Sequence, residues 1–212
     1  MTGDSDKAAL QQVYAVKNPA ELAAAYAAWS SAYDRETVAL GYCLPFVVTA
    51  WVARHVATGA GPLLDAGCGT GLAGPYLRAL GYDEIEGLDF SEQMLGFARA
   101  RGCYRALTRA TLGETLPWPD GHFGAFLSTG VFTQGHAPAS GLDELVRITR
   151  PAGHAVFTVR DTVLDSGGFR DVFVALKRAG RWRPVEESSS FRAFAIAEPE
   201  VLVKAFVFEI LG

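Results

Sequence analysis

Leu63-Leu64-Asp65-Ala66-Gly67-Cys68-Gly69-Thr70-Gly71 is the stretch that decides the fold. A short apolar run ends in a carboxylate, three glycines follow at alternate positions, and a helical pattern opens at Leu72. This is the layout of a strand, a tight turn and a helix N-terminus that lets a ligand touch bare backbone. Working outward, strands and helices alternate. A helix is expected over 72–80, stopped by Gly81, then a strand over 85–88 and a helix over 91–99 capped by Ser91. Next come a strand over 104–108, a turn-rich loop at 116–121, a strand over 123–128, a helix over 141–149 and a strand over 154–160. Such repetition needs right-handed crossovers and predicts a parallel sheet covered on both faces. The tail differs: a helix over 169–178, then Trp182 to Glu186 and a Phe- and Val-rich run from Val201 to Leu211 predict an antiparallel hairpin at the sheet edge.

Upstream, residues before Lys17 read as weakly ordered, with room for a short helix. Asn18-Pro19-Ala20-Glu21 is a helix start, with Asn as cap and Pro at the first helical position. Leu22, Tyr26, Trp29 and Tyr33 then recur at helical spacing as an aromatic stripe. Asp34 is expected to cap a second helix ending at Gly41, and Pro45 to open a third that stops at Gly59-Ala60-Gly61-Pro62. The reading is one structural domain, with residues 1–60 as a helical lid on a 61–212 core.

A chain of 212 residues holds one full core. Half of it is hydrophobic and a fifth charged, as in ordinary soluble globular proteins. A net charge of −4 argues against a dedicated nucleic-acid binder. Arg99, Arg101, Arg105 and Arg109 are the only local concentration of basic residues and read as a solvated face. Cys43, Cys68 and Cys103 are odd in number and lack metal-ligand spacing, so neither a disulfide framework nor a metal site is expected and a reducing cytoplasm fits. The first residues lack the apolar region of a secretory signal, and no apolar run approaches a membrane span.

Two cofactor frames compete. Gly69-x-Gly71-x-x-Gly74 matches the dinucleotide fingerprint, with Asp89 about 20 residues further on as a ribose-binding acid should be. The other frame, Asp65-x-Gly67-x-Gly69-x-Gly71, puts a carboxylate at the strand end, where a buried charge needs a partner. The α-ammonium of S-adenosylmethionine supplies one. Asp89 then accepts both ribose hydroxyls. The nicotinamide reading also lacks a Tyr-x-x-x-Lys pair and a second substrate domain.

Leu64-Asp65-Ala66-Gly67-Cys68-Gly69-Thr70-Gly71 followed by Gly87-Leu88-Asp89-Phe90-Ser91 resembles the class I S-adenosylmethionine-dependent methyltransferases, over about residues 26 to 160. Tyr33-Asp34, Leu40-Gly41-Tyr42, Leu116 to Asp120 and Ser128 to Phe132 are similar to a small methyltransferase-like group of the Williams–Beuren-region type. The resemblance implies an α/β, Rossmann-like, mostly parallel seven-stranded sheet with helices on both faces. It also implies that Asp65, Gly67 and Gly69 hold the methionine end and Asp89 the ribose, while Phe90 and Met94 pack on the adenine. Ala66 and Cys68 on the turn and Ser128 at the end of strand four complete that set. Tyr33, on a helix closing over the cofactor, would contact its carboxylate, and electron-rich rings suit a sulfonium. Where the family often has an aspartate for the adenine amino group, this chain has Thr111, with Leu112 beside it to donate to a ring nitrogen. Where Phe-Asp is usual at the start of strand four, it has Phe123-Gly124, and local loosening is expected.

Methyl transfer from a sulfonium is an in-line displacement that needs alignment and a dry pocket, with no obligatory protein nucleophile. A hydroxyl acceptor would profit from a base, and His136, beyond the carboxyl end of strand four, is the best placed candidate. The expected activity is therefore methylation of a small-molecule acceptor, yielding S-adenosylhomocysteine, by a cytoplasmic monomer or homodimer with no nucleic-acid or membrane partner. The other readings are a nicotinamide-dependent oxidoreductase and a non-catalytic cofactor-binding module.

Overall fold

The computed structural model describes residues 19–212, apart from the side chains at positions 19, 20, 22, 23 and 27. The expected Asn18 cap and the stretch before Lys17 lie outside the described residues. Two helices come first, α1 (Pro19–Ala39) and α2 (Leu44–His55). Then follow β1 (Leu63–Ala66), α3 (Gly74–Ala79), β2 (Ile85–Asp89), α4 (Glu92–Ala100), β3 (Ala106–Arg109), β4 (Phe123–Phe132), α5 (Gly141–Arg147) and β5 (Thr149–Arg160). The tail carries α6 (Asp161–Leu164), α7 (Phe169–Arg178), β6 (Trp182–Glu187), β7 (Phe191–Arg192) and β8 (Leu202–Ile210).

These strands form one mixed sheet in the order β3-β2-β1-β4-β5-β8-β6. β1 pairs in parallel with both β2 and β4, while β8 runs antiparallel between β5 and β6. The fold is thus the expected Rossmann-like α/β sheet, mostly parallel with an antiparallel C-terminal pair. It has eight strands rather than seven, because the two-residue β7 also pairs with β8. That short strand leads into Ala193 and Phe194, which hold the α1–α2 link. The Cys43 N–H donates to the Ala193 carbonyl, and Tyr42 bridges to Phe194.

Both faces of the sheet are covered. On one, Leu142 and Leu145 of α5 and Phe169, Phe173 and Leu176 of α7 pack on Phe126, Phe157 and Phe206. On the other, Val48 and Val52 of α2 and Leu77 of α3 pack on Leu63, Ile85, Leu127 and Val156. Ser91 caps α4 as expected, its hydroxyl accepting from the Met94 N–H. α2 opens with Pro45 in its first turn.

Asp34 does not start a new helix. α1 runs unbroken through it to Ala39, since the carboxylate leaves its own helix for two tertiary partners. Thr70 Oγ1 donates to Asp34 Oδ1 at 2.5 Å, and Arg101 bonds Oδ2. Arg101 also donates from Nε to the Thr70 carbonyl at 2.6 Å. This clasp fastens α1 to the glycine turn and to the end of α4. The arginine cluster is therefore not merely a solvated face. Arg105 pairs with Glu84 and the buried Glu86, and Arg109 donates to the Phe90 carbonyl.

Gly124 also departs from expectation. Instead of loosening the start of β4, it is a point of close approach, because a Cβ there would lie 1.8 Å from the Ala60 carbonyl oxygen. The Gly124 N–H donates to the Pro62 carbonyl at 2.8 Å, binding the α2–β1 link to the sheet. Gly124→Ala is expected to cost about 1–3 kcal/mol, the range for overpacking a filled site. Urea unfolding reads this as a lowered midpoint, and an unchanged midpoint would contradict the close approach.

Candidate functional site

The carboxyl ends of β1, β2 and β4 open onto a cavity of about 460 Å³, in the size range of small-molecule sites. Its floor is the turn after β1, whose backbone hangs from the end of β2. The Gly67 and Cys68 N–H groups both donate to the Leu88 carbonyl, at 2.7 and 2.9 Å. The Gly69 N–H donates to Asp89 Oδ2 at 2.9 Å, and the Ser91 N–H to Oδ1 at 2.9 Å. Gly67, Gly69 and Gly71 all have φ between +55° and +81°, a region that suits glycine. A Cβ at Gly67 would strike Val131, and one at Gly71 would strike Tyr104. At Gly69 a Cβ would meet nothing within 4 Å, so bare backbone faces open space on the cavity floor.

Nine of the expected site residues lie on the cavity wall: Tyr33, Gly67, Gly69, Asp89, Phe90, Met94, Thr111, Leu112 and His136. Asp89 keeps lone pairs beyond the two backbone bonds, so it can still accept from a diol. Burial pushes its carboxyl above the usual range, against the opposing pull of the N–H groups of Ser91, Gly69 and Phe90. Phe90 meets the Tyr26 ring edge-on at 6.1 Å. A cradle of open glycine backbone with a wall carboxylate fits the ribose and amino-acid ends of S-adenosylmethionine.

Four expected residues do not reach the wall. Ala66 is fully buried in β1, and Ser128 is fully buried, donating from its hydroxyl to the Ala66 carbonyl at 2.8 Å. Cys68 turns its sulfur toward Gly87, beside Leu95 and Ala98. Asp65 is fully buried too, and Tyr104 donates its phenol to Asp65 Oδ2 at 2.7 Å. The carboxylate thus lies beneath the turn rather than on the cavity surface, and Oδ1 has no hydrogen-bond partner. Burial raises the Asp65 carboxyl to about 7, with the Asp89 charge adding to the rise and the Tyr104 bond opposing it.

His136 sits on the loop after β4, held at both nitrogens. Nδ1 lies 2.9 Å from the Thr133 hydroxyl and 3.0 Å from the Gln134 carbonyl, and the carbonyl, which can only accept, favours the tautomer with the proton on Nδ1. Nε2 then accepts from the Tyr26 hydroxyl at 2.9 Å. Burial, and to a lesser degree the Arg160 charge, lower the His136 pKa against the opposing pull of the Gln134 carbonyl, which favours the neutral ring. The stripe on α1 is therefore not only packing, because Tyr26 and Tyr33 both line the cavity.

Sequence reasoning missed Tyr42, Arg109 and Val131 on the wall, whereas Thr129 and Gly130 lie at the strand-four end where the acceptor site was expected to open. At Gly130 a φ of +69° and the missing side chain let the Tyr42 phenol pass where a Cβ would sit 2.1 Å away.

Asp65 ties this site to pH. Its folded pKa of about 7 stands above the unfolded carboxylate value of about 3.9. Between those values the folded chain holds a proton that the unfolded chain has lost, so stability falls as pH rises through this window and levels off above it. Asp65→Asn is expected to flatten that fall, read as a smaller difference in urea midpoint between pH 5 and pH 8. An equal difference in both proteins would contradict it.

Comparison with known proteins agrees with this geometry. A methyltransferase domain family matches residues 64–157. The chain is 34% identical to human methyltransferase-like protein 27 over 74% of its own length and 66% of that protein. It is also 34% identical to the demethylmenaquinone methyltransferase of Clavibacter sepedonicus, over 66% of the chain and 58% of that protein. The chain thus spans roughly three fifths to two thirds of these relatives. Among solved structures, the methyltransferase bound to the Haloferax volcanii Trm112 activator superposes with a TM-score of 0.70 at 18% identity. That likeness covers 93% of this chain and all of that one, and at such identity it speaks for the fold alone. Motif, sheet order and relatives together place the domain matched at residues 64–157 in the class I S-adenosylmethionine-dependent methyltransferase family.

Proposed function

We propose that this chain transfers a methyl group from S-adenosylmethionine to a small-molecule acceptor, releasing S-adenosylhomocysteine. The observation that carries the reading is the bare Gly69 backbone beside the Asp89 carboxylate, on the floor of a cavity of about 460 Å³. The bound cofactor supplies an activated methyl on a sulfonium, ready for in-line displacement. The chain supplies the geometry. Backbone at Gly67 and Gly69 receives the methionine end, Asp89 accepts from the ribose, and Phe90, Met94, Thr111 and Leu112 enclose the adenine. Asp65, Ala66, Cys68 and Ser128 support this cradle from beneath, as the buried layer that sets the turn and strand ends.

Within residues 1–60, helix α1 acts as a lid on the 61–212 core. Tyr33 and Tyr26 close over the site from α1, excluding water so that electrostatic contacts inside strengthen. His136, neutral and with its Nδ1 proton fixed, takes the proton of a hydroxyl acceptor at Nε2 when that hydroxyl replaces the Tyr26 phenol. A relative named for demethylmenaquinone supports an acceptor of small-molecule size. Three free cysteines suit a reducing cytoplasm, and no helix among the described residues is long and apolar enough to cross a membrane.

Calorimetry tests the reading. S-adenosylhomocysteine is expected to bind while nicotinamide dinucleotides fail to. Asp89→Ala should then weaken binding by about 1–3 kcal/mol, the scale of lost hydrogen bonds to a charged group. Dinucleotide binding without S-adenosylhomocysteine binding would overturn it.

A further inference from the structure

Of the arginines clustered over residues 99–109, three are spent on carboxylates. Arg99 pairs with Glu92, Arg101 with Asp34, and Arg105 with Glu84 and Glu86. Arg109 is different. Its Nε donates to the Phe90 carbonyl at 3.0 Å, and among the described residues neither Nη group has a partner. That bond tethers the guanidinium at the end of β3, where Arg109 stands in register with Asp89. Among the described residues Arg109 is the one lysine or arginine on the wall of the main cavity, and Asp89 is the one carboxylate.

With Asp89 taking the ribose, the nucleobase lies one strand over, between Phe90 and the 109–112 segment. Hydrogen-bond chemistry then decides which base fits. Adenine shows an acceptor, N7, beside a donor, its 6-amino group. Side-chain amides match that edge, and among the described residues no Asn or Gln lines the cavity. A guanidinium offers donors only. Its fork matches two neighbouring acceptors, such as the N7 and O6 of a 6-oxopurine. Thr111, also on this wall, carries a hydroxyl that can accept from the ring N1–H of such a base. An adenine amino group can use that hydroxyl too, but it then presents N–H groups to a cation that only donates.

We propose that this cavity takes the 6-oxopurine (inosyl) counterpart of the adenosyl cofactor, with Arg109 as the specificity-determining residue that forks onto N7 and O6. The assignment rests on the methyl-transfer reading, which fixes where ribose and base lie. The amino-acid end is the same in both nucleosides, so the contacts at Gly67 and Gly69 are shared. Hydrolytic deamination at purine C6 is the class of reaction that supplies such a ligand.

The test titrates S-inosyl-L-homocysteine and S-adenosyl-L-homocysteine calorimetrically into the full chain. The inosyl compound is expected to bind at least as tightly as the adenosyl one. Arg109→Met should then lower the inosyl-to-adenosyl affinity ratio about fivefold or more, the low end of what a bidentate base contact discriminates. Arg109→Lys, a cation without the fork, should recover only part of that ratio. A general disturbance of the wall would weaken both ligands equally and leave the ratio unmoved, and that result overturns the proposal. So does weaker binding of the inosyl compound than of the adenosyl one by the unaltered chain. If neither ligand binds, the methyl-transfer reading falls as well.

Discussion

The contact between the Gly69 N–H and the Asp89 carboxylate is the constraint on which the site depends. It joins the turn after β1 to the end of β2, and the Leu88 carbonyl reinforces it by accepting from both Gly67 and Cys68. A turn of three left-handed glycines has no side chains with which to fix its own shape. The neighbouring strand therefore fixes it. The same carboxylate orients Ser91, whose hydroxyl caps α4. One acid thus sets the turn, starts the next helix and still presents lone pairs to the cavity.

The helix over the cavity is held at two places by different kinds of contact. Near its C-terminal half, Asp34 engages Thr70 and Arg101, half exposed and open to screening by salt. Earlier in the helix, Tyr26 touches Phe90 and His136 within a mostly aromatic environment. The polar clasp grips the outside of the glycine turn, and the rings cover its inside. Thr70 is the pivot between them, because it lies within the motif and donates outward to Asp34 of α1.

Much of this arrangement was legible in the chain. β1 ends where the apolar run ends, α7 spans the expected residues, and Ser91 caps α4, because apolar spacing and capping chemistry act locally. What escaped reading was set by partners distant in sequence. Asp34 looks like a cap until Thr70 and Arg101 are seen to claim it. Gly124 looks like a lost acid until the Ala60 carbonyl is found in the space of its Cβ. Asp65 looks like a ligand for a cation, yet Tyr104, just before β3, draws it beneath the turn. On the cavity wall, Gly67, Gly69 and Asp89 were legible from the glycine motif and the strand-end acid that follows it. The meeting of Tyr42 with Gly130 was not legible, because it arises only where β4 ends beside the α1–α2 link.

The place of β8 bears on how the chain reaches this state. It lies between β5 and β6 and pairs with β5 from Val203–Arg160 through Glu209–His154. Its Phe208 stacks on Trp182 at 3.9 Å, and Phe206 stacks on Phe157. Until residues 202–210 leave the ribosome, β5 presents an open hydrogen-bonding edge and these rings have no cover. Exposed strand edges and apolar surface are what drive association of nascent chains. The sheet that builds the cofactor turn after its first strand is closed only once its last strand, β8, has been made, and chaperone demand should be greatest in that interval.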